Sequence, residues 1–154
     1  MRSVFDVANW FLSKQSMSPK KLQKMVYYAY AWGLTLFNDS IDELHVYLFN
    51  DDTPQAWIHG PVFPKLYAEY KKYGAQDIPL AEASTVPSFS TDEEDVLNQV
   101  LEVYGEFTAN QLEQLTHQEM PWKNARGNCE PYDACTNHIS DRDIYQCYSE
   151  RLEA

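Results

Sequence analysis

The side chains best suited to bind a metal ion lie close together in the last part of the sequence. Cys129, Cys135, His138 and Cys147 fall within 19 residues and offer the donor atoms of a Cys₃His zinc site. Structural zinc sites usually present paired ligands separated by two to four residues. Here the separations are five, two and eight residues, so reduced thiols are the favoured interpretation. No metal site is predicted, and zinc binding by these four residues stays the alternative.

Acid–base chemistry has one candidate pair, His117 and Glu119, which could exchange a proton if both faced one pocket. A histidine near a helix end also complements the helix dipole, and the spacing identifies no reaction. The sequence contains no G-x-S-x-G nucleophile motif, and its five glycines are too few for a phosphate-binding loop. We expect no catalytic residues and no cofactor, with an uncharacterised enzyme using His117 and Glu119 as an alternative.

The charge of the chain is unevenly distributed. Residues 1–76 carry 8 Lys and Arg against 7 Asp and Glu, whereas residues 77–154 carry 4 against 16. The net charge of −11 makes nucleic-acid binding unlikely, because phosphate backbones are repelled. The acidic second half favours a protein partner with a basic surface. A solvated surface that keeps the protein soluble is the alternative interpretation.

The expected location is the cytoplasm. No apolar run approaches the roughly 20 residues of a membrane span, and the start of the chain lacks a signal-peptide core. Three cysteines in a chain of this length are typical of free thiols in a reducing compartment. We therefore expect no association with a membrane.

Capping residues and apolar periodicity predict a mainly α protein. Ser3, Ser18-Pro19, Thr91, Thr108 and Ser140 each precede a helical pattern, and a further helix runs from Pro64 to Tyr73. Residues 44–49 and 55–58 are rich in β-forming residues, whereas residues 120–139 look irregular. The expected fold is one domain over residues 1–154, a compact bundle of five or six helices with a small β-hairpin near residues 44–58.

Four sequence blocks, in order, resemble those of a known family. The family is the Panacea domain, also called the SocA-like antitoxin domain and found in phage-associated GepA proteins. Residues 21–32 match its block K-L-Q-K-L-x-Y-Y-A-x-x-W, and residues 56–67 match A-W-x-x-G-P-V-x-P-x-L-Y. Residues 104–117 match a stretch ending L-T-H, and residues 120–126 match P-W-x-x-A-R.

The resemblance implies an antitoxin of a bacterial or prophage toxin–antitoxin system. Members of the family neutralise different toxins by direct binding, and at least one delivers its toxin to the ClpXP protease. The implied partners are therefore a cognate toxin protein and a protease such as ClpXP. A phage-encoded interaction module that binds a host protein is the alternative.

The resemblance also supplies the candidate site residues, as family motif positions that serve the fold or a partner. Residues 38–48 depart from the family pattern and are a candidate for partner-specific contact. The motif positions are Lys21, Leu22, Gln23, Lys24, Tyr27, Tyr28, Trp57, Gly60, Pro61, Val62, Pro64, Tyr67, Thr116, His117, Pro121 and Trp122.

Overall fold

A computed structural model describes residues 2–153, which form seven α-helices and one two-stranded antiparallel sheet. This confirms the mainly α fold with a small hairpin. Two short 3₁₀ turns, Lys71–Tyr73 and Ala83–Thr85, interrupt the connections. The elements in chain order are α1 Val4–Lys14, α2 Pro19–Phe37, β1 Gln55–Trp57, β2 Gly60–Val62, α3 Pro64–Tyr70, α4 Thr91–Tyr104, α5 Ala109–His117, α6 Met120–Arg126 and α7 Asp141–Glu153.

Side-chain caps determine where the helices begin. The hydroxyl groups of Ser3, Ser18 and Thr108 accept hydrogen bonds from the first turns of α1, α2 and α5, as predicted. The cap of α4 is Ser90 rather than Thr91. The Ser90 hydroxyl accepts from the backbone N–H of Glu93, and the Glu93 carboxylate accepts from the backbone N–H of Ser90.

Helix α2 forms the centre of the molecule. It packs against α1, α3, α4, α5, α7 and β2, so almost every face of the helix is covered. Tyr27, Tyr28 and Tyr30 point in different directions around the helix. All three are nevertheless buried, because neighbouring elements cover each of those directions. A single amphipathic stripe therefore underestimates how much of α2 lies in the core.

The hairpin is displaced from the position predicted by the sequence. Strand β1 pairs with β2, so the hairpin lies within residues 55–62, and residues 44–49 form no strand. The side chain of Asn38 accounts for the difference. Its amide nitrogen donates to the carbonyl of Val46, and its oxygen accepts from the N–H groups of His45 and Val46. These backbone groups are thus bonded to the end of α2 instead of to a strand.

The number of helices also exceeds the prediction of five or six, because part of the segment expected to be irregular is helical. Helix α6 begins after Glu119 with a proline in its first turn, and no side chain caps it. It spans only seven residues, too few for an apolar period to be recognised in the sequence. Gly127 ends it with a backbone φ of 49°.

No helix within residues 2–153 combines the length and the apolar character needed to span a bilayer.

Candidate protein-binding site

Several of the predicted motif residues meet where the hairpin packs on α2. Lys24 is only 1% exposed, and its Nζ donates to the carbonyl oxygen of Pro61 at 3.3 Å. Gly60 has a φ of 107°, and a Cβ at this position would lie 2.8 Å from Lys24 Cε and 2.9 Å from Thr116 Oγ1. Glycine is therefore required both by the backbone conformation and by the close approach of α2 and α5.

Gln23 fixes the same hairpin from the next position of α2. Its side-chain nitrogen donates to the carbonyl of Phe63 at 3.1 Å, and its oxygen accepts from the N–H of Phe63 at 2.8 Å. The side chain thus satisfies both backbone groups of a buried residue directly after β2. An unmade hydrogen bond at such a position would cost about 1–3 kcal/mol.

A second group of motif residues joins β1 to α5 and α6. The His117 ring stacks on Trp122 with centroids 3.9 Å apart, and Trp122 Nε1 donates to the carbonyl of Trp57 at 2.9 Å. Tyr67 packs against Trp57 with ring centroids 4.9 Å apart. Burial lowers the pKa of His117, although Glu113 acts in the opposite direction, so the imidazole is neutral at pH 7.

The remaining motif positions belong to the scaffold. Arg126, which closes the P-W-x-x-A-R block, donates to the carbonyls of Ala56, Glu130 and Asp133. Pro64 and Pro121 lie in the first turns of α3 and α6. The backbone N–H of Lys21 donates to the capping hydroxyl of Ser18. Three further positions are buried: Leu22, Tyr27 and Val62.

Glu119 lies in a separate polar cluster among tyrosines. Its Oε1 accepts hydrogen bonds from Tyr28 at 3.2 Å and Tyr148 at 2.7 Å, while Oε2 accepts from Arg151 at 2.6 Å. The Tyr28 ring stacks on Tyr104 with centroids 3.9 Å apart. Burial, followed by neighbouring acidic groups, raises the pKa of Tyr148 well above its ordinary value. These hydroxyl groups therefore stay protonated and donate to the carboxylate.

His117 and Glu119, the candidate acid–base pair, thus have different neighbours. Within residues 2–153 no hydrogen bond joins them, and the buried Nε2 of His117 has no hydrogen-bond partner there. The ring lies against α6, whereas the carboxylate bonds to tyrosines of α2 and α7 and to Arg151. The arrangement favours a structural role for each residue.

The four candidate zinc ligands are not gathered at one point. The Cys129 thiol accepts a hydrogen bond from the side-chain nitrogen of Asn137 at 3.8 Å, and the neighbouring Cys135, followed by burial, raises the pKa of Cys129. His138 Nδ1 is 3.0 Å from the hydroxyl of Thr53, and Cys147 lies on α7. In the part of the chain that the structure describes, all three thiols are free and no group of three potential ligands could hold a metal ion.

An open groove runs along α4, and we call it the α4 groove. It consists of two adjoining cavities of about 700 and 180 Å³ that share Leu36, Val96 and Gln99. Residues 46–47 and the start of α4 border the larger cavity. The smaller, more apolar cavity lies between α2, α4 and Leu152 of α7. None of the sixteen motif positions, all of them described by the structure, lines either cavity.

The border of the groove at the start of α4 is acidic. Partial burial alone would raise the pKa of Glu93. The hydrogen bonds from the backbone of Ser90 and from Arg2 nevertheless hold that pKa below its ordinary value. Asp92 and Asp95 are exposed, and neither forms an ion pair within residues 2–153. The groove thus combines an apolar smaller cavity with a larger cavity whose border carries two exposed carboxylates without an ion pair among the described residues. Sequence reasoning located the acidic half of the chain but not this groove.

The fold is a mainly α-helical domain with an open groove along α4. Residues 22–123 match the family described as antitoxin SocA-like, Panacea domain. The chain belongs to this family, as its motif blocks predicted, and membership supports an antitoxin-type role in general. No curated protein and no solved structure shows significant similarity to the chain.

Proposed function

We propose that this chain is the antitoxin of a bacterial or prophage toxin–antitoxin pair and that it neutralises its cognate toxin by direct binding in the cytoplasm. The observation that carries the proposal is the family match over residues 22–123, which contains most of the scaffold described above. An open groove that exposes four large apolar side chains beside an acidic border supports a binding role, since such surfaces are typical of protein–protein contact.

We further propose that the protein acts without catalysis. His117 is a neutral ring held against Trp122, and Glu119 is bonded to two tyrosines and an arginine. Each side chain is thereby committed to the packing of the domain. If this is correct, His117→Ala lowers the melting temperature while the purified variant still binds the partner that the unmodified protein binds. Loss of function with an unchanged melting temperature and intact binding would instead indicate catalysis.

Co-expression tests the proposal directly. The reading frame adjacent to this gene is induced alone and together with the gene, and growth and viability are followed. We expect growth arrest in the first case, rescue in the second, and co-purification of the two proteins. A neighbour that is harmless alone contradicts the antitoxin assignment. Capture of a host protein by the same purified chain would then support the alternative of a phage-encoded interaction module.

The same strains separate simple blocking from delivery to a protease. In a blocking mechanism the toxin accumulates with its antitoxin, because the complex protects it. In a delivery mechanism the half-life of the toxin shortens when this chain is present and recovers in a strain lacking ClpX. Pulse-chase labelling of the toxin distinguishes the two results, and blocking is the mechanism that we propose.

A further inference from the structure

The α4 groove collects most of the exposed large apolar side chains of the molecule. Seven such side chains are exposed within residues 2–153, and four of them line the groove. Exposing a contiguous apolar surface costs solubility, so a cluster of this kind usually marks a binding surface. The four residues and their exposed fractions are Leu36 at 43%, Val46 at 49%, Val103 at 58% and Leu152 at 56%.

The apolar stripes of two helices extend beyond the core into this groove. On α4, Val96 and Val100 are buried, whereas Val103, one turn later on the same side, is exposed. On α7, Tyr148 is buried and Leu152, one turn further, is exposed. Each stripe is therefore longer by one turn than the interior of the domain requires. The extra turns are available to a partner.

The charge and shape of the groove restrict the partner to one class. Asp92 and Asp95 would repel the same groove of a second copy in a symmetric dimer. The only sheet within residues 2–153 does not border the groove, so an added strand would find no backbone to pair with. From Asp92 to Val103 the groove follows α4 for about 16 Å, or about three helical turns.

We infer that the α4 groove binds an amphipathic helix of a partner protein, with apolar side chains on one face and a row of Lys or Arg along its edge. Apolar side chains spaced at i, i+3 or i+4 and i+7 would contact Val103, Leu152 and Leu36. The basic row would lie over Asp92 and Asp95. This inference rests on the proposed function to the extent that the helix belongs to the toxin.

A designed probe tests the groove without the toxin. A labelled leucine–lysine helical peptide about four turns long is compared with a leucine–glutamate peptide of the same length. We expect the first to bind, with chemical-shift changes at the amides of α4 and at the indole N–H of Trp32, which lines the groove. The indole N–H of Trp57, outside the groove, should not shift. Shifts spread over the whole acidic surface would overturn the inference.

Substitutions that leave the charge unchanged separate apolar contact from simple attraction. We expect the double variant Val103→Gln with Leu152→Gln to weaken peptide binding by at least about tenfold. Leu80→Gln, at an exposed position outside the groove, is the matched control and should bind normally. Because these side chains are exposed, the variants should fold, as circular dichroism will verify. Equal binding by both variants contradicts the inference.

A double variant and a control variant test the acidic border of the groove. The double variant Asp92→Asn with Asp95→Asn should weaken binding about fivefold and reduce its dependence on salt. Glu69→Gln removes an exposed carboxylate of α3 that does not line the groove, and it should have little effect. If both changes weaken binding equally, the peptide responds only to net charge and the inference is wrong.

Co-expression with the adjacent gene distinguishes failure of this inference from failure of the proposed function. If the unmodified chain rescues growth and the Val103 and Leu152 variant also rescues, the antitoxin assignment stands and the groove assignment fails. If the neighbouring gene product is not toxic but the peptide binds in the groove, the antitoxin assignment fails and the groove assignment stands. A dimer seen by light scattering that the same variant dissociates would identify a second copy as the occupant and overturn the inference.

Discussion

Lys24 offers a quantitative test of how the scaffold is built, because a buried amine is costly to charge. Burial, together with the nearby Lys20, lowers its pKa from the ordinary 10.5 to about 7, although Glu113 acts in the opposite direction. Replacement by methionine keeps an unbranched apolar side chain that is one atom shorter. It removes the ionisable group and the hydrogen bond to the carbonyl of Pro61.

The direction in which pH changes the free energy of unfolding through Lys24 follows from the number of protons that the folded and unfolded states bind. Between about pH 7 and pH 10.5 the unfolded chain holds a proton on this amine that the folded chain has released. The free energy of unfolding therefore rises with pH across this window, and below it the effect levels off because both states are protonated. With these two pKa values the increase between pH 7 and pH 9 is about 2 kcal/mol.

Denaturant unfolding, followed by tryptophan fluorescence at pH 7, 8 and 9, measures this quantity for the unmodified protein and for Lys24→Met. Other titrating groups are common to both proteins, so they cancel in the difference. We expect the stability of the unmodified protein relative to the variant to increase by about 2 kcal/mol from pH 7 to pH 9. Met25→Leu, a neighbouring core change without an ionisable group, should give a constant difference. If the stability difference between the unmodified protein and Lys24→Met did not change with pH, the inference that the buried amine of Lys24 is neutral would be refuted.

Two further substitutions, each with a control, test the close packing at Gly60 and the polar contacts of Glu119. Gly60→Ala should destabilise the protein by about 2–4 kcal/mol in the same unfolding assay, because it combines a strained φ with overpacking. Gly74→Ala also has a strained backbone, with φ 59° and ψ −122°, but no atom lies within 4 Å of the added Cβ. It should therefore cost less than Gly60→Ala, about 1–2 kcal/mol, and equal losses would contradict the role of close packing. Glu119→Gln should cost about 2 kcal/mol, since it removes the ion pair with Arg151 and weakens two tyrosine hydrogen bonds. Glu153→Gln, on the exposed end of α7, is its control, and a similar melting temperature for both variants would count against a structural role for Glu119.

Most helix boundaries could be predicted from the sequence because capping chemistry is local. The predicted helix from Pro64 to Tyr73 ends as an α-helix at Tyr70 and continues as a 3₁₀ turn to Tyr73. The cap of α4 shifts from Thr91 to Ser90 because these residues are followed at the same interval by Glu94 and Glu93. Both registers satisfy the capping pattern. The structure adopts the register in which Glu93 also pairs with Arg2, a residue far away in the sequence. No local pattern contains that contact.

The hairpin and the groove depend on information that periodicity does not carry. Gly60-Pro61 is a dipeptide typical of a turn, yet it begins β2. The closeness of Lys24 and Thr116, which requires glycine at position 60, is a tertiary contact that no local pattern contains. Val103 and Leu152 continue apolar stripes that predict burial. A stripe shows which face of a helix is apolar, but it cannot show where the covering helix ends.

The scaffold and the groove are formed by largely different residues, although Trp32, the last residue of the first motif block, lines the groove. Gln23, Lys24, Trp122 and Arg126 all donate their side-chain hydrogen bonds to backbone carbonyls of the same chain. These motif residues therefore have those donors committed to the fold. The α4 groove instead contains four exposed large apolar side chains, and one of them, Leu152, lies outside the matched residues 22–123.

Substitutions at scaffold positions and at groove positions should consequently differ in their effect on the free energy of unfolding. A change at a scaffold position breaks a buried hydrogen bond or a close contact, which costs several kcal/mol out of a total stability of about 5–15 kcal/mol. A change at an exposed groove position usually alters stability by no more than about 0.5 kcal/mol. Sequence change can therefore accumulate along α4, α7 and residues 46–47 while the motif blocks stay recognisable. The inference for the α4 groove therefore predicts that groove residues such as Val103 and Leu152, rather than the buried motif residues, determine which partner is bound.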